Sequence, residues 1–316
     1  MDISLEKQFG GEGVFANILH DESFKVVVGA PQNERLLIDI IGLLIPGKKI
    51  SSITLINREQ HGLSNWEKNT TFDLICKDDT TKEEFLVEMQ FSPMDTYMER
   101  MLYYATVPLR LQMAAKPRGK MDYSLSPLYV VSIVNFSLPH ESDDALDEEM
   151  ISRYSITNNN NGEKMTNALN FVYLELGRLK EGFEQREKCD TALKRLAWDM
   201  KYAYRLKKRP SEATDEISKR FYKATELAAM NKLQQQKYEK AMRNQFDEFC
   251  IKEYARRTGL EEGRAEGLEE GRAEGRAEGA KERSLEIARA LIREKVEPAI
   301  IASATGLTLE EIRAIS

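Results

Sequence analysis

Cysteine and histidine are scarce in this chain of 316 residues, three of each, and their scarcity removes several chemistries at once. Cys76, Cys189 and Cys250 are scattered and odd in number, which excludes a disulfide framework and fits reduced thiols in a cytoplasm. None of them stands at ligand spacing from a histidine, and His20, His61 and His140 are isolated, so a zinc site is not expected. Long apolar runs are missing as well. The stretch LLIDIIGLLI is too short to span a bilayer and carries Asp39, so no membrane partner is expected. The start, MDISLEKQFGG, has acids and no apolar run, so no secretory leader is expected either. An excess of positive charge is also lacking. Lys and Arg number 46 against 52 Asp and Glu, and a net charge of −6 argues against indiscriminate binding to nucleic acid.

What is present is the composition of a soluble protein, 41% hydrophobic and 31% charged, long enough for two domains or for one domain with an extension. The charge is unevenly placed. Residues 163–260 hold 22 basic and 15 acidic side chains, whereas every other region is net acidic. The basic excess is densest at KYAYRLKKRP, Lys201 to Pro210. Two readings fit this cluster: an aromatic-interleaved surface whose Lys207, Lys208 and Arg209 grip phosphates, or the solvated face of a helix.

The first half reads as helix, three strands, helix, strand. Asn33 can cap a helix through Gly42, with Leu36, Leu37, Ile40 and Ile41 on one face and Pro46-Gly47 ending it. Ile50 to Ile56 suits a strand. Ser92, with Pro93 at the first helical position and Asp95 at the capping-box position, opens a helix to about Ala115, kinked at Pro108. Tyr129 to Phe136 is a continuous apolar run suited to a strand buried on both faces. Strands flanked by helices predict an α/β core over residues 1–138.

Beyond that core the character changes. Residues 139–162, with six acids and then four asparagines and a glycine, read as a surface excursion whose Met150 to Ile156 folds back on the core. Residues 163–258 are mostly helical in pattern, with an extra edge strand over 169–176 and a break at Pro210, after which Ser211 or Thr214 restarts the helix. Glycines then recur at 259, 263, 267, 271, 275 and 279. Each costs a helix about 1 kcal/mol relative to alanine, and neighbouring Glu and Arg offset part of that. Residues 259–283 therefore read either as a semi-flexible spacer or as a smooth helical stripe. Residues 284–316 form a small helical module with a capping box at Thr308 to Glu311. Its ATGLTLEEI resembles a helix-turn-helix, but Glu310 and Glu311 would repel phosphates, which favours packing or homo-oligomer formation through this tail over base reading.

Chemistry concentrates in one hairpin. Thr71 to Lys77 and Glu84 to Phe91 both alternate, and Asp78-Asp79-Thr80-Thr81 is a turn between them. A hairpin centred on Thr80 and Thr81 sets Lys77 opposite Glu84, Ile75 opposite Leu86 and Asp73 opposite Glu88, with Gln90 on the face of Glu88. Opposed carboxylates weaken a hairpin unless a hard cation sits between them or they splay into water. Spacing alone leaves both arrangements open.

DESFKVVVG, NERLLIDIIGLLIPG, TTFDLIC, FLVEMQ, ERMLYYATVPLRLQ and PLYVVSIVNFSL, in that order and spacing, resemble the core of the recombination-promoting nuclease (Rpn) family. That family is placed with transposases of the PD-(D/E)XK nuclease superfamily, and looser similarity continues through FVYLELGRL and TELAAMNKLQQQKYEKA into the tail. The resemblance implies a restriction-endonuclease-like mixed sheet flanked by helices, followed by a helical region and a glycine-repeat helical tail. It places Asp73 and Glu88 as metal-binding acids and Gln90 at the superfamily's lysine position, a departure that this branch shares. It also implies Glu34 as an additional acid and Arg100 with Tyr104 as an R-x-x-Y-Y pair reaching a phosphate.

Phosphodiester hydrolysis needs an activated water and charge stabilisation, both of which Mg²⁺ (or Mn²⁺ or Ca²⁺) supplies from one or two carboxylates plus other oxygens. Asp73, Glu88 and the backbone carbonyl of Met89 answer that need. Gln90 cannot act as a base, but its amide can hold a water or a phosphate oxygen. The expected function is a metal-dependent DNA endonuclease of the recombination-promoting type. The alternatives are a nuclease-fold module that binds nucleic acid or a partner without cutting, and an oligomeric scaffold.

Overall fold

A mixed six-stranded sheet organises the larger part of the chain. In the computed structural model, residues 13–56, 72–116, 122–139 and 150–315 are described. The start of the chain, His61, Thr71, His140 and the acidic run at 141–149 lie outside the described residues. In chain order the strands are β1 (Ile53–Leu55), β2 (Leu74–Asp78), β3 (Glu84–Gln90), β4 (Leu128–Val134), β5 (Ile151–Ser155) and β6 (Leu169–Glu175). In space they run β1-β2-β3-β4-β6-β5. The pairs β3–β4 and β4–β6 are parallel and the other three antiparallel, so the parallel strands occupy the centre.

Local chemistry explains the order. β2 and β3 are joined by the expected tight turn, whose Asp78 carboxylate accepts the N–H groups of Thr80 and Thr81. The parallel β3–β4 pair needs a crossover, and helix α3 (Tyr97–Ala114) supplies it. β4, the apolar run LYVVSIV, is buried along nearly its whole length, as a central parallel strand should be. One face of the sheet packs Leu86, Val130 and Val134 against Tyr97, Met101 and Ala105 of α3. The other packs Phe85, Val87 and Val131 against a larger layer formed by α1 (Asp21–Val27), α2 (Glu34–Leu44), α4 (Ala192–Tyr202) and α5 (Glu216–Thr225).

Several boundaries differ from the sequence expectation, each for a physical reason. The segment 169–176 does form a strand, but β6 is internal, and β5, folded back from the excursion, is the edge. Both faces of β6 are largely buried, which suits an inner position. The sheet therefore continues past residue 138. Asn33 precedes α2, but its side-chain amide donates to the Val27 carbonyl and leaves the helix uncapped. α3 starts at Tyr97, after Thr96, and not at Pro93. The Ser92 carbonyl accepts the Gln90 amide instead of closing a helical turn, and Tyr97 and Met101 sink into the core. α5 is capped by Asp215, whose carboxylate accepts the Ser218 N–H, one residue past Thr214.

The chain divides into two compact units, Met1–Phe246 and Asp247–Ser316, with the division inside the long helix α6 (Lys232–Arg293). The glycine repeat lies within this helix, and an added Cβ at any glycine from Gly259 to Gly279 would meet nothing within 4 Å beyond its chain neighbours and the adjoining helix backbone. In the second unit α7 (Pro298–Thr305) and α8 (Leu309–Ala314) pack Ile301, Leu307 and Ile312 on Ala288. Gly306 takes the left-handed conformation (φ 72°) that ends α7, and Thr308 with Glu311 forms a capping box opening α8. Among the described residues no helix is long and apolar enough to cross a membrane.

Candidate active site

The β2–β3 register sets Lys77 opposite Glu84, Ile75 opposite Leu86 and Leu74 opposite Val87. Extended by one residue, it brings Asp73 to Glu88. The two residues are cross-linked by backbone amides. The Asp73 N–H donates to Glu88 Oε1 at 2.9 Å, and the Met89 N–H donates to Asp73 Oδ2 at 2.7 Å. Each acid thus has one oxygen fixed by the main chain and one, Asp73 Oδ1 or Glu88 Oε2, left for other partners. Both side chains are almost wholly buried, at 2% and 3% exposure. The splayed, solvated arrangement is therefore not the one adopted.

The cations near these acids come from two helices on opposite sides of the hairpin. Lys25, on α1, places Nζ 3.0 Å from Asp73 Oδ1. α1 is held against the hairpin at both ends. His20 stacks on Phe91 with ring centroids 4.2 Å apart, and Gly29 lies so close to Leu74 that a Cβ there would meet its Cδ2 at 2.5 Å. Arg100, on α3, reaches the Glu88 side, with Nη2 3.9 Å from Oε2 and Nη1 3.4 Å from Gln90 Oε1. Its guanidinium lies over the Tyr104 and Tyr97 rings, which fixes its orientation.

Burial dominates the electrostatics. Desolvation pushes the Asp73 carboxyl above the usual range, against the opposing pull of Lys25 and the Met89 N–H. Glu88 is pushed up further, by desolvation first and by the charge of Asp73 second. Next to Glu88, Arg100 Nε is buried without a hydrogen-bond partner, and the buried hydroxyl of Tyr97 meets that of Ser132, the β4 residue in register with Glu88. Two buried acids whose carboxyls are raised by desolvation, beside a buried Arg100 Nε without a partner, describe a polar space, not a finished core.

That donor set fits a hard divalent cation. It is all oxygen and includes two carboxylates. No group of three or more His, Cys, Asp and Glu placed to hold a metal ion is found among the described residues, so the remaining ligands would be backbone, water or substrate oxygens, the manner in which magnesium is usually held. The Met89 amide faces Asp73. A strand residue directs its N–H and C=O to the same side, so the Met89 carbonyl faces that space too.

The other predicted residues separate into near and distant groups. Gln90 is next to the acids, with its amide nitrogen donated to the Ser92 carbonyl at 2.9 Å. Glu34 is not brought to the site: its carboxylate accepts the Ile53 N–H at 3.0 Å. Ile53 pairs with Asp78, five residues along β2 from Asp73, or about 16 Å at the usual rise per residue. The acid whose charge does bear on Asp73 is Asp21, in the first turn of α1. The basic segment begins at the end of the sheet where the acids lie. Lys201 donates to the carbonyl of Leu176, just after β6, and Glu175 is in register with Val134 and so with Gln90. Two strand spacings, about 10 Å, separate that end of β6 from β3. Lys207, Lys208 and Arg209, later in the segment, are exposed. Lys25 carries no signal in the sequence, because nothing in the spacing of DESFK shows that it meets an acid 48 residues later.

The family model of the PD-(D/E)XK nuclease family transposases matches residues 18–255, which takes in the sheet, both acids, Lys25 and the basic segment. No curated protein and no solved structure shows significant similarity to the chain.

Proposed function

The chain belongs to the PD-(D/E)XK nuclease family transposases, and from that premise we propose that it is a metal-dependent endonuclease that hydrolyses DNA phosphodiesters in recombination-like exchange. One observation carries this reading: Asp73 and Glu88 are buried side by side at the C-terminal end of β3, each with one oxygen locked by a backbone amide and one directed to other partners. Crevices at the C-terminal ends of parallel strands are where α/β sheets bind ligands.

Asp73 Oδ1 and Glu88 Oε2 would hold a divalent cation such as Mg²⁺, with the Met89 carbonyl as a further oxygen. When bound, that cation supplies a water acidified toward neutral pH and charge neutralisation at the phosphate. Gln90 orients a water or a phosphate oxygen without accepting a proton, and Arg100 keeps Gln90 and Glu88 in place. Lys207, Lys208 and Arg209, exposed after α4, add phosphate contacts. The free cysteines, with Cys76 and Cys189 buried, suit a reducing cytoplasm.

A nuclease-fold module without activity is the second reading. It is favoured by Gln90, which carries no charge and whose amide nitrogen is committed to Ser92. Plasmid nicking with Mg²⁺ or Mn²⁺ separates the two. The endonuclease reading requires nicking that depends on metal and is lost in Asp73→Ala and Glu88→Ala chains that remain folded. Binding without nicking would leave the module.

A further inference from the structure

Lys25 has no part in the chemistry described so far, yet it makes the closest ionic contact in the site. Its ammonium lies on Asp73 Oδ1, the one oxygen of that carboxylate which no backbone amide holds. A divalent cation bound through that amide-free oxygen would occupy the place of the ammonium. We propose that Lys25 is a built-in counter-ion that competes with the metal for Asp73 and, once displaced, positions the scissile phosphate. This rests on the nuclease reading and adds a role for a residue outside the hairpin.

Three features make Lys25 the group that moves. Its side chain is 30% exposed, so it can turn outward toward a substrate while Asp73 stays buried. Lysine carries its charge on a flexible four-carbon stem with three rotatable donors, so leaving one oxygen for another requires only side-chain rotation. The helix beneath it stays fixed, since α1 is clamped by His20 on Phe91 and by Gly29 against Leu74. Arg100 has no such freedom, being stacked on two tyrosines and bonded to Gln90. With a neutral amide at Gln90, Lys25 is also the only lysine in contact with either acid among the described residues.

Competition of this kind has a signature that a merely structural lysine lacks. Mn²⁺ binding is measured by calorimetry on the full chain and on Lys25→Met and Lys25→Arg, alongside Mg²⁺-dependent nicking and thermal melting. Removing a like charge a few ångströms from the ligand oxygen should tighten Mn²⁺ binding about tenfold in Lys25→Met. Loss of the phosphate-positioning group should slow nicking about 100-fold in the same variant. Without metal, Lys25→Met should melt below wild type, and Mn²⁺ should raise its melting temperature more than it raises that of wild type. Lys25→Arg should bind Mn²⁺ no more tightly than wild type. Unchanged or weaker Mn²⁺ binding by a folded Lys25→Met chain, or nicking at the wild-type rate, would overturn the proposal while wild type still binds metal and cuts. Absence of both metal binding and nicking in wild type and variants would overturn the nuclease reading together with it.

Discussion

Two of the buried carboxylate sites in the first unit, Asp73 with Glu88 and Asp199, are not separated by charge count alone, because each acid has a basic partner. Asp199 on α4 receives Arg186 Nε on Oδ1 at 2.6 Å and Arg186 Nη2 on Oδ2 at 2.9 Å. The Tyr222 hydroxyl donates to Oδ1 at 2.6 Å and Ser218 Oγ to Oδ2 at 3.1 Å. Both oxygens are thus saturated by groups that are themselves buried. In the Asp73–Glu88 cluster the only close cation is a half-exposed lysine, Arg100 stands 3.9 Å from Glu88, and no hydrogen bond reaches Glu88 Oε2 among the described residues. The first arrangement ties α4 to α5 and leaves no lone pair for a ligand. The second keeps lone pairs available, at a cost in stability that a functional site tolerates.

The largest expected effect separates the clusters by activity. Asp73→Ala and Glu88→Ala should each lower metal-dependent nicking on the order of 10³-fold, because several kcal/mol of transition-state stabilisation is lost with the metal. Their circular dichroism should stay that of wild type. Arg186→Ala should do the reverse. It leaves Asp199 buried and unpaired, which costs about 3–5 kcal/mol in denaturant unfolding, while the folded fraction still cuts. Loss of nicking without loss of stability in Arg186→Ala would erase the distinction.

The hairpin was the part of this site most legible in the sequence. Two alternating segments around Asp78-Asp79-Thr80-Thr81 fix the register, and register alone brings Asp73 to Glu88. The central strand β4 was legible for a related reason, since only a strand covered on both faces is so uniformly apolar. Lys25 and the Asp199 cluster were not, because pairing between a helix and a strand, or between two helices, leaves no local period to read. The place of β6 inside the sheet was hidden in the same way. An alternating strand is read as an edge, and what covers it comes from β5, which precedes it in sequence. Glu34 was misplaced because resemblance gave it a role while the fold gave it the Ile53 amide.

Changing Lys207, Lys208 and Arg209 together to glutamate should weaken DNA binding at least tenfold and flatten the slope of log K against log salt by up to about 3, without altering metal affinity. An unchanged slope would assign these residues to solvent alone. Glu88→Gln should melt about 1–3 °C above wild type at neutral pH without metal. The sign follows from its raised pKa. The folded state favours the protonated acid, so its stability contribution is complete below the ordinary value of 4.5 and is lost as pH rises through the raised folded value. Glutamine escapes that loss, and the difference should vanish below pH 4.5 and shrink when Mn²⁺ is added to wild type. The smallest effect should come from ending the chain after Arg257. That change should leave the sheet and metal binding intact, because the unit boundary falls earlier, at Phe246. A reduced protomer count by light scattering would assign assembly to the tail, where Leu260 and Leu268 are exposed on α6.

The loosely compensated acids are tested most directly by calorimetric titration of Mn²⁺ into the metal-free full chain, into Asp73→Ala and into Glu88→Ala. One cation should bind per wild-type chain, and binding should be lost in both variants while their melting curves remain cooperative. Absence of binding to wild type, or binding that survives both substitutions, would contradict a metal site at Asp73 and Glu88.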